Sequence, residues 1–506
     1  MLQSMSRTWN VDKWMVFFWG RLGNPEPLRG DDLLDSIAPD FEAWAATRGR
    51  KERQPYLIGP GGYADARINA YFNTSMRRRL SRETEKKAAY AIGLWLNFLI
   101  TRDADWDACD ELDVEAFMAW RRFDESNPKP VQGNSWQGDL SQLLVFYRWA
   151  SHYFDVPNPI ATHSVVFEGH QVEVADVSSH SIRQADVKWL SPGAYNRWRD
   201  IGVLGLTADG SEVAAWRPRC DQRDLAYVEG LYRTGLRMQE WASILTNELP
   251  AADDHRWFYT LSLANKCAKG GYGHPFWIDR GALNFVRDYM DGDRVASVLN
   301  AQAAGVYDKM PDLSVIVGTR YSGRKLVLRS ARGAMTEKAV DDLTPAQRMK
   351  LFYETDAGLE PAMLWLNEDG RPRRKAAWFR SFERINARVE RAGLSNLHCT
   401  QHMLRHSFAL RWYTVGKLIR ERRLAHLTEK EAQDFRAEFG SAWHLVQTML
   451  GHRNTETTKQ IYLEPFLALD INLLFEHAAD DVTIRQLLDA ALRDHPSVIS
   501  TEGDTA

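Results

Sequence analysis

His402-Met403-Leu404-Arg405-His406, followed by Leu450-Gly451-His452 and then Thr457-Thr458-Lys459-Gln460-Ile461-Tyr462-Leu463, is the stretch whose reading decides this chain. Two histidines, an arginine and a tyrosine follow one another in an order suited to chemistry on a phosphate. A tyrosine hydroxyl is a poor nucleophile near neutrality unless its proton is removed and the phosphate charge is neutralised. Arginine offers fixed, bidentate phosphate binding, and histidine exchanges protons near pH 7.

Working upstream, Thr234-Gly235-Leu236-Arg237 with Glu240 supplies a second arginine. Gly235 can take a positive φ and turn the chain. Glu240 lies one helical turn beyond Arg237, close enough to orient it. Taken alone, that string reads more readily as a surface ion pair than as a functional site. Trp257 to Leu263 and Phe276 to Ile278 alternate as strands of a hairpin. Its glycine-rich tip carries Lys266 and Lys269, and either lysine can serve as a donor or general acid toward a phosphate.

The segment Arg371 to Arg391 is the most basic in the chain, with eight Lys or Arg against Glu383 and Glu390, a local net of +6. Arg380, Arg384, Arg388 and Arg391 keep helical spacing and predict one cationic stripe. Trp378, Phe379, Phe382, Ile385 and Val389 predict the apolar side. Such a helix can lie along a phosphate backbone or dock on a protein partner. Earlier, Arg77, Arg78 and Lys86 give a basic entry to a helical region at 75–160, where Ala91, Leu94, Trp95, Phe98 and Leu99 recur at spacings of three and four. A charge run is more often a solvated face than a binding surface.

With 506 residues, two or more domains are expected. Hydrophobic residues at 44% and charged residues at 26% describe an ordinary globular chain, and the net charge of -3 does not by itself announce a nucleic-acid binder. Four scattered cysteines form no Cys-x-x-Cys pair, so reduced thiols in a cytoplasmic protein are expected. No apolar run approaches the ~20 residues that span a bilayer, so no membrane partner is expected. Met1 to Gly20, interrupted by Arg7, Asp12 and Lys13, lacks the form of a signal peptide. No carboxylate or Cys/His cluster offers a metal site. The predicted divisions are an accessory region at 1–70, a helical domain at 75–160, a linker at 161–185, a second domain at 186–480 and a C-terminal helix and tail at 481–506. Residues 290–370 have no assigned part in this scheme.

In this order and approximate spacing, the three strings resemble the tyrosine recombinases, or phage-type integrases. The gap from His452 to Tyr462 is one residue longer than the commonest family pattern. The resemblance implies a mainly α fold with a small β-sheet: a helical core-binding domain and a mixed α/β catalytic domain. It implies a site-specific recombinase that cuts and rejoins double-stranded DNA through a 3'-phosphotyrosyl link, with no metal, ATP or other cofactor. Tyr462 would be the nucleophile, Arg237 and Arg405 the phosphate clamp, and His402 the proton acceptor. His452 would bind phosphate, Lys269 would be the general acid, and Glu240 and His406 would give support. Arg77, Arg78, Lys86, Arg380, Arg384 and Arg388 are the expected DNA contacts. The family's habit implies a homotetramer on paired sites, accessory DNA-bending proteins in some systems, and a place on mobile genetic elements. Two other readings are a type IB topoisomerase-like enzyme and an inactive architectural protein with the same fold.

Overall fold

A computed structural model of the chain describes residues 12–20, 47–167, 170–178, 188–213, 216–251, 256–424, 428, 430, 442–451 and 498–499. The chain divides into two compact units, Met1–Gln184 and Ala185–Ala506.

In the first unit, β1 (Met15–Phe18) pairs antiparallel with β2 (Pro55–Ile58). Four helices follow: α1 (Ala66–Tyr71), α2 (Arg82–Ile100), α3 (Glu111–Arg122) and α4 (Gly133–Phe154). Side-chain caps start three of them. Asp65 accepts from the Arg67 and Ile68 amides, Ser81 from the Thr84 amide, and Asp110 forms a capping box with Asp113. Trp95, Phe117, Trp136, Phe146 and Tyr147 fill the core. The Trp95 indole donates to the Tyr147 hydroxyl at 2.7 Å, which donates in turn to the Trp106 carbonyl at 2.8 Å, so the buried Tyr147 hydroxyl is satisfied as both acceptor and donor.

Two expectations change here. Val16, Leu57, Ile68 and Tyr71 belong to the same core as α2 and α4, so the described part of residues 1–70 is built into the helical unit rather than appended to it. The predicted linker contains an antiparallel hairpin, β3 (Thr162–Phe167) with β4 (His170–Ala175). Polar composition hid its alternating valines, which favour extended backbone.

The second unit begins with β5 (Trp189–Leu190) and α5 (Pro192–Gly202), then α6 (Asp221–Thr234) and the short α7 (Met238–Trp241). A hairpin, β6 (Phe258–Ser262) with β7 (Pro275–Asp279), leads into α8 (Arg280–Tyr289), a π turn and α9 (Val295–Ala303). The region without an assigned role forms a five-stranded sheet of β8 (Ser314–Arg320), β9 (Lys325–Ser330), β10 (Met335–Ala339), β11 (Leu351–Thr355) and β12 (Gly358–Pro361), ordered β10-β9-β8-β11-β12. Only its β8–β11 pairing is parallel. Leu326, Leu328, Leu351 and Met363 pack there with Leu245 and with Val298 of α9 in a cluster separate from the main core of the unit. Arg348, 1% exposed, bolts this sheet to the rest: it donates to Glu248 at 2.6 and 3.0 Å, to the Ser243 carbonyl at 3.0 Å and to the Val340 carbonyl at 3.1 Å. The chain continues through α11 (Lys375–Arg391), α12 (Gln401–Leu424) and α13 (Ala442–Leu450), with α10 (Pro345–Arg348) lying before β11. Last, β13 (Val498–Ile499) pairs parallel with β5. No helix of the described residues is long and apolar enough to cross a membrane.

Candidate active site

The site is assembled where α6 ends. Gly235 caps that helix with φ of 66°, the left-handed conformation glycine adopts at little cost. A side chain there would collide with the Phe408 ring of α12, so the turn and α12 are pressed together. Arg405, on α12 and 4% exposed, donates one Nη to the Gly235 carbonyl and the other to the Leu450 carbonyl at 2.8 Å. One guanidinium thus ties three separate stretches: the turn before Arg237, the helix of the His-x-x-Arg-His string, and the end of α13.

Glu240 performs the second tie. Its buried carboxylate accepts from the Arg237 amide at 2.8 Å, from Arg237 Nη1 at 3.0 Å and from the Lys269 amide at 3.2 Å. Burial alone would raise its pKa, but the Arg237 and Arg405 charges and these hydrogen bonds outweigh it and hold the carboxyl below its ordinary range. A carboxylate that stays ionised keeps Arg237 and the lysine loop in register. Arg237 itself retains 24% of its side-chain surface in solvent.

His402 precedes Arg405 by one turn on the same helix face. Its pKa is lowered by burial first, then by Arg405, Arg237, Lys269 and Lys375. The imidazole is therefore neutral at pH 7 and able to accept a proton. His406, one turn farther, has its ring 6.4 Å from that of His402 and 6.1 Å from Trp189. Burial, with His402 and Arg405 adding to it, pushes His406 down to about 3.

The hairpin loop is also held by the 3-10 turn Val340–Asp342 that follows β10 of the five-stranded sheet. The Lys266 amide donates to the Asp341 carbonyl at 3.0 Å, and the Asn265 amide to the Asp341 carboxylate at 3.3 Å. Both lysines are exposed. It is the Lys269 charge that reaches His402 and the Lys269 amide that Glu240 binds. The structure therefore brings together Arg237, Glu240, Lys269, His402, Arg405 and His406. His452 and Tyr462 lie outside the described residues.

Two groups escaped the sequence reading. Lys375, one of eight cations in a basic run, sits where its charge reaches His402. His274, at the end of the hairpin loop, lies where a side chain on Gly451 would strike its ring. It hydrogen-bonds the Pro275 carbonyl through Nδ1 at 2.9 Å. Neither carries a spacing signal, because each is placed by a distant segment. Among the described residues, no group of three or more His, Cys, Asp or Glu side chains gathers to hold a metal ion.

The expected DNA contacts divide. Arg77 is a correction: it is 2% exposed, paired with Glu85 at 2.9 Å and stacked 4.6 Å from the Tyr71 ring. It spends its charge on the core because the 3-10 turn Arg77–Arg79 points it inward. Arg78 is half-buried, and Lys86 is exposed. On α11, Arg380 is exposed, while Arg384 reaches Asp224 at 3.2 Å and Arg388 lies 4.7 Å over the Trp216 ring. The predicted single stripe is thus not one solvent-facing row. Trp378, Phe382, Ile385 and Val389 are buried as expected, whereas Phe379 is 47% exposed.

No family model matches the chain, and no curated protein matches it. Solved structures do. One is the XerH site-specific recombinase bound to palindromic difH substrate in a post-cleavage complex: 13% identity, TM-score 0.43, covering 82% of this chain and 86% of that one. Another is the Tn1549 transposon integrase in complex with a circular intermediate DNA: 12% identity, TM-score 0.42, covering 76% and 91%. The XerA recombinase matches at 15% identity with TM-score 0.27, covering 78% and 92%.

Proposed function

We propose that this chain is a site-specific DNA recombinase of the tyrosine type. The observation that carries this is the double tie of Arg405 to the Gly235 carbonyl and of Glu240 to both Arg237 and the Lys269 loop. It gathers two arginines, a lysine and a neutral histidine from segments more than 130 residues apart in sequence, groups suited to binding a phosphodiester, donating a proton to it and accepting one from its attacker.

In the proposed reaction the Tyr462 hydroxyl oxygen attacks the scissile phosphorus, and its proton passes to His402. Arg237 and Arg405 stabilise the extra negative charge of the transition state. The bond from phosphorus to the 5'-oxygen breaks, and Lys269 supplies the proton that oxygen takes. The product is a 3'-phosphotyrosyl link with a free 5'-hydroxyl. A 5'-hydroxyl of another strand then reverses each step, which rejoins DNA without consuming a high-energy cofactor. Glu240 and His406 position the reacting groups. His452 would add a hydrogen bond to the phosphate. Double-stranded DNA is the proposed partner, and a homotetramer on paired sites is the proposed assembly.

A duplex nicked beside the cleavage site tests this. The intact protein is expected to form a covalent adduct with DNA, and Tyr462→Phe to form none. Removing Arg237 should slow adduct formation by about 100- to 1000-fold, the cost of losing one preorganised donor to a developing charge. An adduct that survives Tyr462→Phe would strip Tyr462 of the role. DNA binding with no adduct on any cognate site would favour an architectural protein.

A further inference from the structure

A cavity of about 510 Å³, lined by none of the gathered site residues, lies between the N-terminal end of α6, the loop before it, residues 367–368 and the middle of α11. Six arginines and three carboxylates line it, leaving it three charges positive. Much of this charge is compensated locally. Arg223 pairs with Asp224 at 2.8 Å, and Arg384 shares the same carboxylate.

Arg373 and Arg388 are different: among the described residues neither has a carboxylate partner. Arg373 is 8% exposed and directs its Nη groups to the Asn367 side chain, the Ala377 carbonyl and the Ser381 hydroxyl. The Nε of Arg373, the Nε of Arg388 and the Nε1 of Trp216 are all buried, and none meets an acceptor among the described residues. Three buried donors and no matching acceptor is a pattern that calls for an acceptor-rich guest. Both guanidiniums are held against indole faces, Arg373 4.5 Å over Trp378 and Arg388 4.7 Å over Trp216, which fixes their planes. Burial first, and then neighbouring guanidiniums (Arg223 and Arg384 for Arg373, Arg384 and Arg391 for Arg388), push both down to about 10 against an opposing pull from Asp224, so an arriving anion relieves a cost already present in the fold. The 14-residue α6 has no side-chain cap at Cys220, and its N-terminal dipole adds to the positive potential.

We propose that this cavity binds a small phosphorylated molecule of nucleotide size, its phosphate lodged between Arg373 and Arg388. The volume falls in the range of small-molecule sites. The recessed position of Arg373 favours a small guest over a duplex, whose phosphates meet protruding cations. Nothing here depends on the strand-transfer reading, and the test does not use it.

The full-length protein is titrated calorimetrically with inorganic pyrophosphate and, separately, with adenosine diphosphate, at constant ionic strength. Saturable binding of at least one probe is expected, weakened at least about tenfold in Arg388→Gln by loss of one charge-assisted contact. Because Arg373→Gln can fail to fold, the half-exposed Arg388 carries the test, with circular dichroism confirming its fold. No saturable binding of either probe overturns the proposal, as does binding that Arg388→Gln leaves unchanged. Binding of a short duplex that depends on Arg388, with neither small probe bound, also overturns it and makes the cavity a DNA contact.

Discussion

His406 shows how far the fold moves a single group. Its ring stays neutral in the folded chain down to about pH 3, whereas an unfolded histidine protonates near 6.5. Below pH 6.5 the unfolded state takes up a proton that the folded state refuses. Stability that is complete above pH 6.5 is therefore lost as pH falls toward 3, at up to about 1.4 kcal/mol per pH unit. His402 is displaced the same way and adds to the loss. Urea midpoints measured from pH 7.5 to 5 should fall, and fall less steeply in His406→Gln. Equal slopes in the two proteins would show that His406 is not the titrating group. The direction for His402 also bears on activity: a neutral imidazole flanked by four cations is a proton acceptor at pH 7, and a bound phosphate, by adding negative charge, makes it a stronger one.

At the scale of elements, the β6–β7 hairpin presents two lysines three residues apart, of which the sequence reading favoured Lys269 with Lys266 as the alternative. Its loop is gripped at one end by Asp341, in the 3-10 turn that leaves β10 of the five-stranded sheet, and at the other by Glu240. The sheet's role, unassigned from the sequence, includes bracing this loop. Glu240 binds the Lys269 end, so Lys269→Ala should slow adduct formation on the nicked duplex by about 100-fold, the scale of one general-acid contribution. Lys266→Ala should leave the rate within about twofold of the parent, since surface side chains outside the constellation contribute little. The reverse ranking would transfer the acid role to Lys266. Helix α11 teaches a related lesson. Its apolar face was legible from period 3.6, because hydrophobic spacing reports which side packs. Which of its arginines stays in solvent was not legible, since that depends on Asp224 and Trp216 from another segment.

Across the whole molecule, charge distribution decides how DNA would be met. The net charge of -3 is small, so the proposed affinity rests on local clusters. Arg380 is exposed, whereas Arg388 is drawn over an indole. Replacing Arg380 by Ala should reduce the slope of log affinity against log salt by about one, the signature of one lost phosphate contact. Arg388→Ala should leave that slope unchanged, and Arg77→Ala should destabilise the first unit by removing the partner of a buried glutamate. A salt slope altered by Arg388→Ala but not by Arg380→Ala would invert the assignment of this face. From the sequence alone came the residue types, their order, and the glycine at 235 that only a tight turn explains. Those are local properties of composition and spacing. Only the tertiary structure decided that one arginine joins the Gly235 turn to Leu450, that one glutamate joins Arg237 to Lys269, that residues 314–361 form a bracing sheet, and that Arg77 is spent in the core. Each of these is a contact between segments far apart in the chain, set by packing and by the need of buried charges to find partners, which no local pattern encodes.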